Sequence, residues 1–129
     1  MANFLLDTNH ASPLVTVIHP LRVHVLKRIS AGDKFYLTVP VIAETLFGLR
    51  TTPRAESNVK EWEMLRTQMG WLPVDEQDAL YSALLRSVLR RRGRQLNAMH
   101  GLIAAVALRS NMILLTTDGD FEAVSGLQT

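Results

Sequence analysis

Phe4-Leu5-Leu6 runs straight into Asp7-Thr8-Asn9. Three consecutive apolar residues leave no polar side for a strand on a sheet surface. The run therefore reads as a strand buried on both faces, as in a parallel sheet. Ligands of open α/β sheets bind outside the carboxyl ends of the strands. Asp7 thus stands at the functional edge, where a carboxylate can hold a metal ion. Asp, Thr and Asn also cap helices by accepting a hydrogen bond from the first turn, and this local stretch fits that role as well.

The same pattern returns near the other end of the chain. Met112-Ile113-Leu114-Leu115-Thr116 is a second buried strand, and it enters the polar, acidic loop Thr117-Asp118-Gly119-Asp120-Phe121. Between them, Lys34–Val39 is aromatic and β-branched and reads as a strand. Trp71-Leu72-Pro73-Val74 is a short strand or extended stretch leading to Asp75. Residues 8–16 form a short helix or turn interrupted by Pro13, and the last residues form a short helix and an edge strand. A helix starts at Pro20, carries Leu21, Val25, Leu26 and Ile29 at helical spacing, and ends at Ser30-Ala31-Gly32-Asp33. Pro40 opens another over residues 41–50, and Thr51-Thr52-Pro53 breaks the chain. Residues 54–69 form an amphipathic helix with Val59, Trp62, Leu65 and Met69 on one face. Residues 76–93 form a long helix burying Leu80, Ala83, Leu84, Val88 and Leu89, with Gly93 as its C-cap. Residues 98–110 are small and apolar, as close packing on a sheet requires. Strands alternating with helices predict a parallel α/β sheet with helices on both sides, formed as one domain over 1–129.

Composition removes several classes of chemistry. The chain has no cysteine, which excludes disulfides, zinc–thiolate sites and a thiol nucleophile. No apolar run approaches the ~18 residues of a membrane span, and Phe4-Leu5-Leu6 is too short for a signal-peptide core. The expected location is the cytoplasm, without membrane attachment. Fourteen Lys and Arg against 12 acidic residues give only +2, but the arginines are clustered. Arg86, Arg90, Arg91, Arg92 and Arg94 fall within nine positions. Such a cluster can contact phosphates, or it can be a solvated helix end where cations suit the dipole.

Glu44 lies one turn into an otherwise apolar helix beside Ile42, Ala43, Thr45 and Leu46. A buried carboxylate must reach solvent, a cation or a metal, and the apolar neighbours favour a functional role. If the strands ending at Asp7 and Asp118 are neighbours, their carboxylates converge, and Glu44 can join them from the helix after the second strand. That set suits Mg²⁺ or Mn²⁺, which can activate water for attack on a phosphodiester. Thr8, Asn9 and Thr116 can orient ligands or water. There is no phosphate-cradling glycine loop. A phosphatase using Asp7 as nucleophile is disfavoured, because Asn9 stands where the haloacid-dehalogenase type carries a second acid.

Together these pieces carry a resemblance. They are Leu5-Leu6-Asp7-Thr8-Asn9, Glu44 after the second strand, Gly93-Arg94-Gln95-Leu96 leading to Leu102–Ala107, and Leu115-Thr116-Thr117-Asp118-Gly119-Asp120-Phe121. In this order they resemble the PIN-domain proteins, specifically the small VapC-like toxins of bacterial and archaeal toxin–antitoxin pairs. The resemblance implies a three-layer α/β/α PIN-like domain with a central, mostly parallel sheet. It implies an endoribonuclease dependent on Mg²⁺ or Mn²⁺, with Asp7, Glu44 and Asp118 as catalytic metal ligands. It also implies an RNA substrate, a cognate antitoxin, and assembly as a homodimer or toxin–antitoxin hetero-oligomer. Arg86, Arg90, Arg91 and Arg94 are then candidates for RNA contact.

One position departs from the family pattern. An acid is expected three residues before Ile103, and His100 stands there. His100 can ligate the ion, which Mn²⁺ accepts more readily than Mg²⁺. It can leave a weaker site with one negative charge fewer, or it can be an inactivating substitution. Asp120 can contribute a ligand or cap a helix. The alternative to a nuclease is a catalytically impaired PIN-fold protein acting through antitoxin or RNA binding.

Overall fold

Leu5 and Leu6 are adjacent in the chain and both have no solvent exposure. Neighbouring strand residues point to opposite faces, so the sheet is covered on both sides at this strand. A computed structural model describes all residues 1–129. Its strands are β1 (Asn3–Leu6), β2 (Lys34–Thr38), β3 (Gly70–Leu72) and β4 (Ile113–Leu115). They form one sheet in the order β3-β2-β1-β4, and every pairing is parallel. Phe4 pairs with Phe35 and Ile113, and Leu5 with Tyr36 and Leu114. The Phe4 and Phe35 rings stack with centroids 5.0 Å apart.

Six α-helices flank the sheet. They are α1 (Thr8–Ala11), α2 (Pro20–Ser30), α3 (Val39–Arg50), α4 (Ala55–Arg66), α5 (Glu76–Arg91) and α6 (Ala98–Ser110). From β1 to β3 the chain steps outward in one direction. From β3 it returns across the sheet to β4, on the far side of β1. Right-handed crossovers place helices on opposite faces when the direction reverses. Hence α1–α4 cover one face and α5–α6 the other, giving three α/β/α layers. Strand order reverses between β1 and β4, and the crevice at their carboxyl ends is where such sheets bind ligands.

The element boundaries differ from expectation in small ways. Strand β2 stops at Thr38, because Val39 and Pro40 already occupy the first turn of α3. Strand β3 starts earlier, at Gly70, and β4 is shorter at each end. The C-terminal segment forms a 3-10 turn, Gly119–Ala123, and no edge strand. A single backbone bond, Leu114 N–H to the Gln128 carbonyl at 2.8 Å, attaches the tail to β4.

The larger correction concerns α5. Leu80, Ala83 and Leu84 were expected inside, yet all three are exposed, Leu80 by 61% and Leu84 by 58%. Asp78, Ser82 and Leu89 face inward instead. The cause lies in α6. A Cβ on Gly101 would stand 2.9 Å from Arg86 Cδ and 3.5 Å from Ser82 Cβ, so only small or slender groups fit between the helices. Asp78 is inside because Arg109 grips it, with Nε to Oδ1 at 2.8 Å and Nη2 to Oδ2 at 2.9 Å. At the end of α5, Gly93 has φ +73°, as a left-handed helix terminus requires.

Candidate metal centre

Asp7 caps the helix that follows β1 and stands, buried, at the carboxyl end of that strand. Its Oδ1 accepts from the Thr8 backbone N–H at 2.8 Å, capping α1. Its Oδ2 accepts from the Thr116 hydroxyl at 2.7 Å. The Asp7 N–H donates to the Leu115 carbonyl at 3.0 Å. This bond extends the β1–β4 ladder one residue past the strands and sets Asp7 beside Thr116. Asp7 is 3% exposed, so its position is fixed by packing as well as by hydrogen bonds.

Thr116 connects the two strand ends. Its Oγ1 also accepts from the Asp118 N–H at 3.0 Å. Asp118 Oδ1 in turn accepts from the Asp120 N–H at 3.0 Å, capping the 3-10 turn. The expected roles of Asp120 as helix cap and as ligand therefore separate. Asp118 is the cap, which leaves the Asp120 carboxylate free to face the crevice.

His100 enters from the other side, in the first turn of α6. Asn97 caps that helix by accepting from the His100 N–H at 2.8 Å. The imidazole Nδ1 lies 3.6 Å from Asp118 Oδ2 and 3.9 Å from Asp120 Oδ2, and Nε2 lies 3.9 Å from Asp7 Oδ2. The Phe121 ring rests against it, with centroids 4.6 Å apart. The Nδ1 atom is buried and has no hydrogen-bond partner, which is uncommon for a buried polar atom. One ligand atom from each of His100, Asp118 and Asp120 lies within 4.8 Å of the other two. Two carboxylates and an imidazole whose Nδ1 is unpartnered form a donor set that can hold a divalent ion.

The other candidate residues are placed less centrally. Glu44 is exposed on α3 and stands outside the His100–Asp118–Asp120 group. Asn9 is exposed, and its Nδ2 donates to Thr117 Oγ1 at 2.9 Å, closing the rim between the strand ends. The Thr8 hydroxyl is buried without a partner. Arg86, Arg90 and Arg94 line an open cleft of about 670 Å³ together with Ser87, Gln95 and Asp120. Asp120 thus borders both the cleft and the carboxylate group. Arg91 does not line this cleft. Arg86 is aimed by its Nε, which donates to the Leu96 carbonyl at 2.8 Å.

Three neighbours escaped the sequence reading. Asn97 was signalled by its place three residues before His100, a capping spacing. Phe121 follows Asp120 directly, but only the fold turns its ring onto His100. Thr38, at the carboxyl end of β2, buries an unpartnered hydroxyl, and nothing in its local sequence marks it. Burial pushes the His10 imidazole below its ordinary value, while the negative charge of Asp7 pulls the other way.

Several solved structures share this fold. The VapBC2 complex of Rickettsia felis, bound to a DNA fragment from its promoter, contains a chain 19% identical at a TM-score of 0.85, covering 98% of this chain and 96% of that one. FitAcB of Neisseria gonorrhoeae is 27% identical at a TM-score of 0.74, covering 93% and 91%. VapC20 of Mycobacterium tuberculosis, a sarcin–ricin-loop-cleaving toxin, is 18% identical at a TM-score of 0.69, covering 98% of each chain. No curated protein matches the sequence. No helix is long and apolar enough to cross a membrane. The PIN domain family model matches residues 4–127, and with the parallel sheet and the acidic crevice at its β1–β4 edge, the chain belongs to the PIN-domain family.

Proposed function

We propose that this chain is a divalent-metal-dependent endoribonuclease, the VapC-like toxin of a toxin–antitoxin pair. The observation that carries the reading is the convergence of Asp7, His100, Asp118 and Asp120 on the crevice between β1 and β4. Asp118, Asp120 and His100 would hold the ion, with Asp7 at its border and Mg²⁺ or Mn²⁺ as the ion. When bound, such an ion lowers the pKa of its water and neutralises charge on a phosphodiester. The chain's own residues supply the rest. Thr116 and Thr8 fix Asp7, Asn97 fixes the turn that bears His100, and Asn9 closes the rim. Glu44, exposed on α3, would complete the ligand set as the family resemblance implies. Arg86, Arg90 and Arg94 would bind RNA phosphates in the cleft that Asp120 borders, and Arg91 would add charge outside it.

Structural relatives support the assignment. One is a toxin that cleaves an RNA loop, and others are toxin–antitoxin complexes. By that likeness a cognate antitoxin is the protein partner. Val39, Phe47, Trp71, Leu80, Tyr81 and Leu84 are large apolar residues left exposed, surface that suits protein contact, including a homodimer.

Incubation of a mixed RNA pool with wild-type protein and Mn²⁺ or Mg²⁺ tests the proposal. Cleavage should stop with EDTA and in Asp118→Asn. Cleavage that persists in either control overturns it. Because His100 replaces an acid of the family pattern, one alternative has a specific basis. Cleavage by His100→Asp alone would make the natural chain an impaired PIN protein that works by binding.

A further inference from the structure

Deepening the nuclease reading, and resting on it for the identity of the site, we propose that His100 makes this a nitrogen-containing centre. It takes first-row transition ions such as Mn²⁺ or Co²⁺ and discriminates against Mg²⁺. His100 Nδ1, Asp118 and Asp120 are the direct ligands, and Asp7 is the carboxylate that orients the imidazole.

The distances separate the two roles. In an octahedral shell with ligands about 2.1 Å from the ion, neighbouring donors are about 3.0 Å apart and opposite donors about 4.2 Å. Nδ1 lies 3.6 Å from Asp118 Oδ2 and 3.9 Å from Asp120 Oδ2. Both spacings exceed a hydrogen bond and lie between the adjacent and the opposite separation, so a side-chain shift of a few tenths of an ångström brings each to one of the two. Nδ1 thus hydrogen-bonds to neither carboxylate, and one ligand atom from each of the three residues lies within 4.8 Å of the other two. The buried Nδ1 has no protein partner, which leaves its lone pair open to an ion.

The opposite nitrogen has a different neighbour. Nε2 faces Asp7 Oδ2 at 3.9 Å. Ligating histidines almost always turn their second nitrogen to a carboxylate or carbonyl, which sets the tautomer. Asp7 is suited to that task, because the Thr8 N–H and the Thr116 hydroxyl immobilise its two oxygens. Phe121 holds the ring plane from the side. The ligand sphere therefore shifts from β1 toward the Asp118–Asp120 turn. Mg²⁺ favours oxygen donors, whereas imidazole favours the transition ions. Exchanging an acid for imidazole weakens the site for the first and keeps it for the second.

The test measures binding to full-length protein without RNA. Calorimetric titrations with Mn²⁺, Co²⁺ and Mg²⁺ should show the transition ions binding at least about tenfold tighter than Mg²⁺. Pulsed electron paramagnetic resonance of the Mn²⁺-loaded protein should show ¹⁴N coupling. That coupling should persist in His10→Asn and vanish in His100→Asp and His100→Asn. In His100→Asp the preference over Mg²⁺ should shrink, and Asp120→Asn should weaken Mn²⁺ binding about ten- to hundredfold. Absence of nitrogen coupling in the wild-type protein overturns the proposal, whether or not any variant folds. An unchanged ion preference in folded His100→Asp also overturns it. Nitrogen-coupled binding without RNA cleavage removes the nuclease reading alone. Cleavage that runs equally with Mg²⁺ and without nitrogen coupling removes this proposal alone.

Discussion

The Thr116 hydroxyl donates to Asp7 Oδ2 at 2.7 Å, across 109 residues of chain. The Thr116 hydroxyl oxygen itself accepts from the Asp118 N–H at 3.0 Å. One small side chain thereby fixes the spacing between the carboxylate at the end of β1 and the loop at the end of β4.

Thr116→Val keeps the shape of the side chain and removes both bonds. It should destabilise the fold by about 1–3 kcal/mol, the usual result of stranding a buried acceptor. Metal affinity should fall about tenfold, because Asp7 and Asp118 lose their common tether. Urea denaturation and calorimetry check the two parts separately. A variant that loses stability but keeps full metal affinity would show that Thr116 serves the fold and not the site.

The Asp78–Arg109 pair predicts a pH dependence. Burial pushes the Asp78 carboxyl up, but its hydrogen bonds with Arg109 and with the Asp75 N–H outweigh burial and hold it below its ordinary 3.8. The unfolded chain therefore binds a proton at a pH where the folded one does not. The pair contributes its full stability above the unfolded value and loses it as pH falls through that value to the folded one. Arg109 is 40% exposed, so solvent screening limits the contribution to about 1–3 kcal/mol. Stability measured between about pH 5 and pH 3 should fall more steeply for wild type than for Asp78→Asn. Parallel curves would show that the pair is not the titrating element.

How much of this was legible in the chain depends on whether a residue's neighbours are local. Strands β1 and β4 could be read because residues buried on both faces must be apolar without interruption, as Leu5, Leu6 and Leu114 are. Asp7 and Asp118 could be read because each ends such a run. The inward face of α5 could not. Apolar count favoured Leu80 and Leu84, but the choice was made by Gly101 on another helix and by Arg109, 31 residues beyond Asp78. Glu44 shows the same limit. Its apolar sequence neighbours argued against plain exposure, whereas the helix turns its side chain to solvent. The orphaned His100 nitrogen and the Phe121 ring against it are tertiary facts with no local signature.

The arginine cleft predicts how salt governs RNA binding. Arg90→Ala combined with Arg94→Ala should weaken binding about evenly across RNA sequences, since phosphate contacts carry no sequence information. Each lost contact should reduce the slope of log affinity against log salt by about 0.7. Arg91→Ala, outside the cleft, should lower the slope by less than the loss of either cleft arginine. Filter binding with catalytically silent Asp118→Asn protein at several salt concentrations measures this. Equal effects from Arg91 and from the cleft pair would mean that the cluster acts through net charge rather than through the cleft.

The exposed side of α5 makes a prediction about assembly. Leu80 and Leu84 lie one turn apart, and with Tyr81, 45% exposed, they form an apolar strip on a helix whose inner face is taken by Asp78, Ser82 and Leu89. Their solvent-facing positions contribute little to the fold of one chain. Leu80→Glu combined with Leu84→Glu should therefore change the stability of the monomer by no more than about 1 kcal/mol. If the strip is where copies meet, the same change buries two carboxylates without partners, a penalty large enough to abolish association. Sedimentation velocity at micromolar protein should show wild type as a dimer and the variant as a monomer with an unaltered circular dichroism spectrum. A variant that still sediments as a dimer would move the self-association surface off α5, leaving the exposed Val39 and Phe47 of α3 as the next apolar face to substitute.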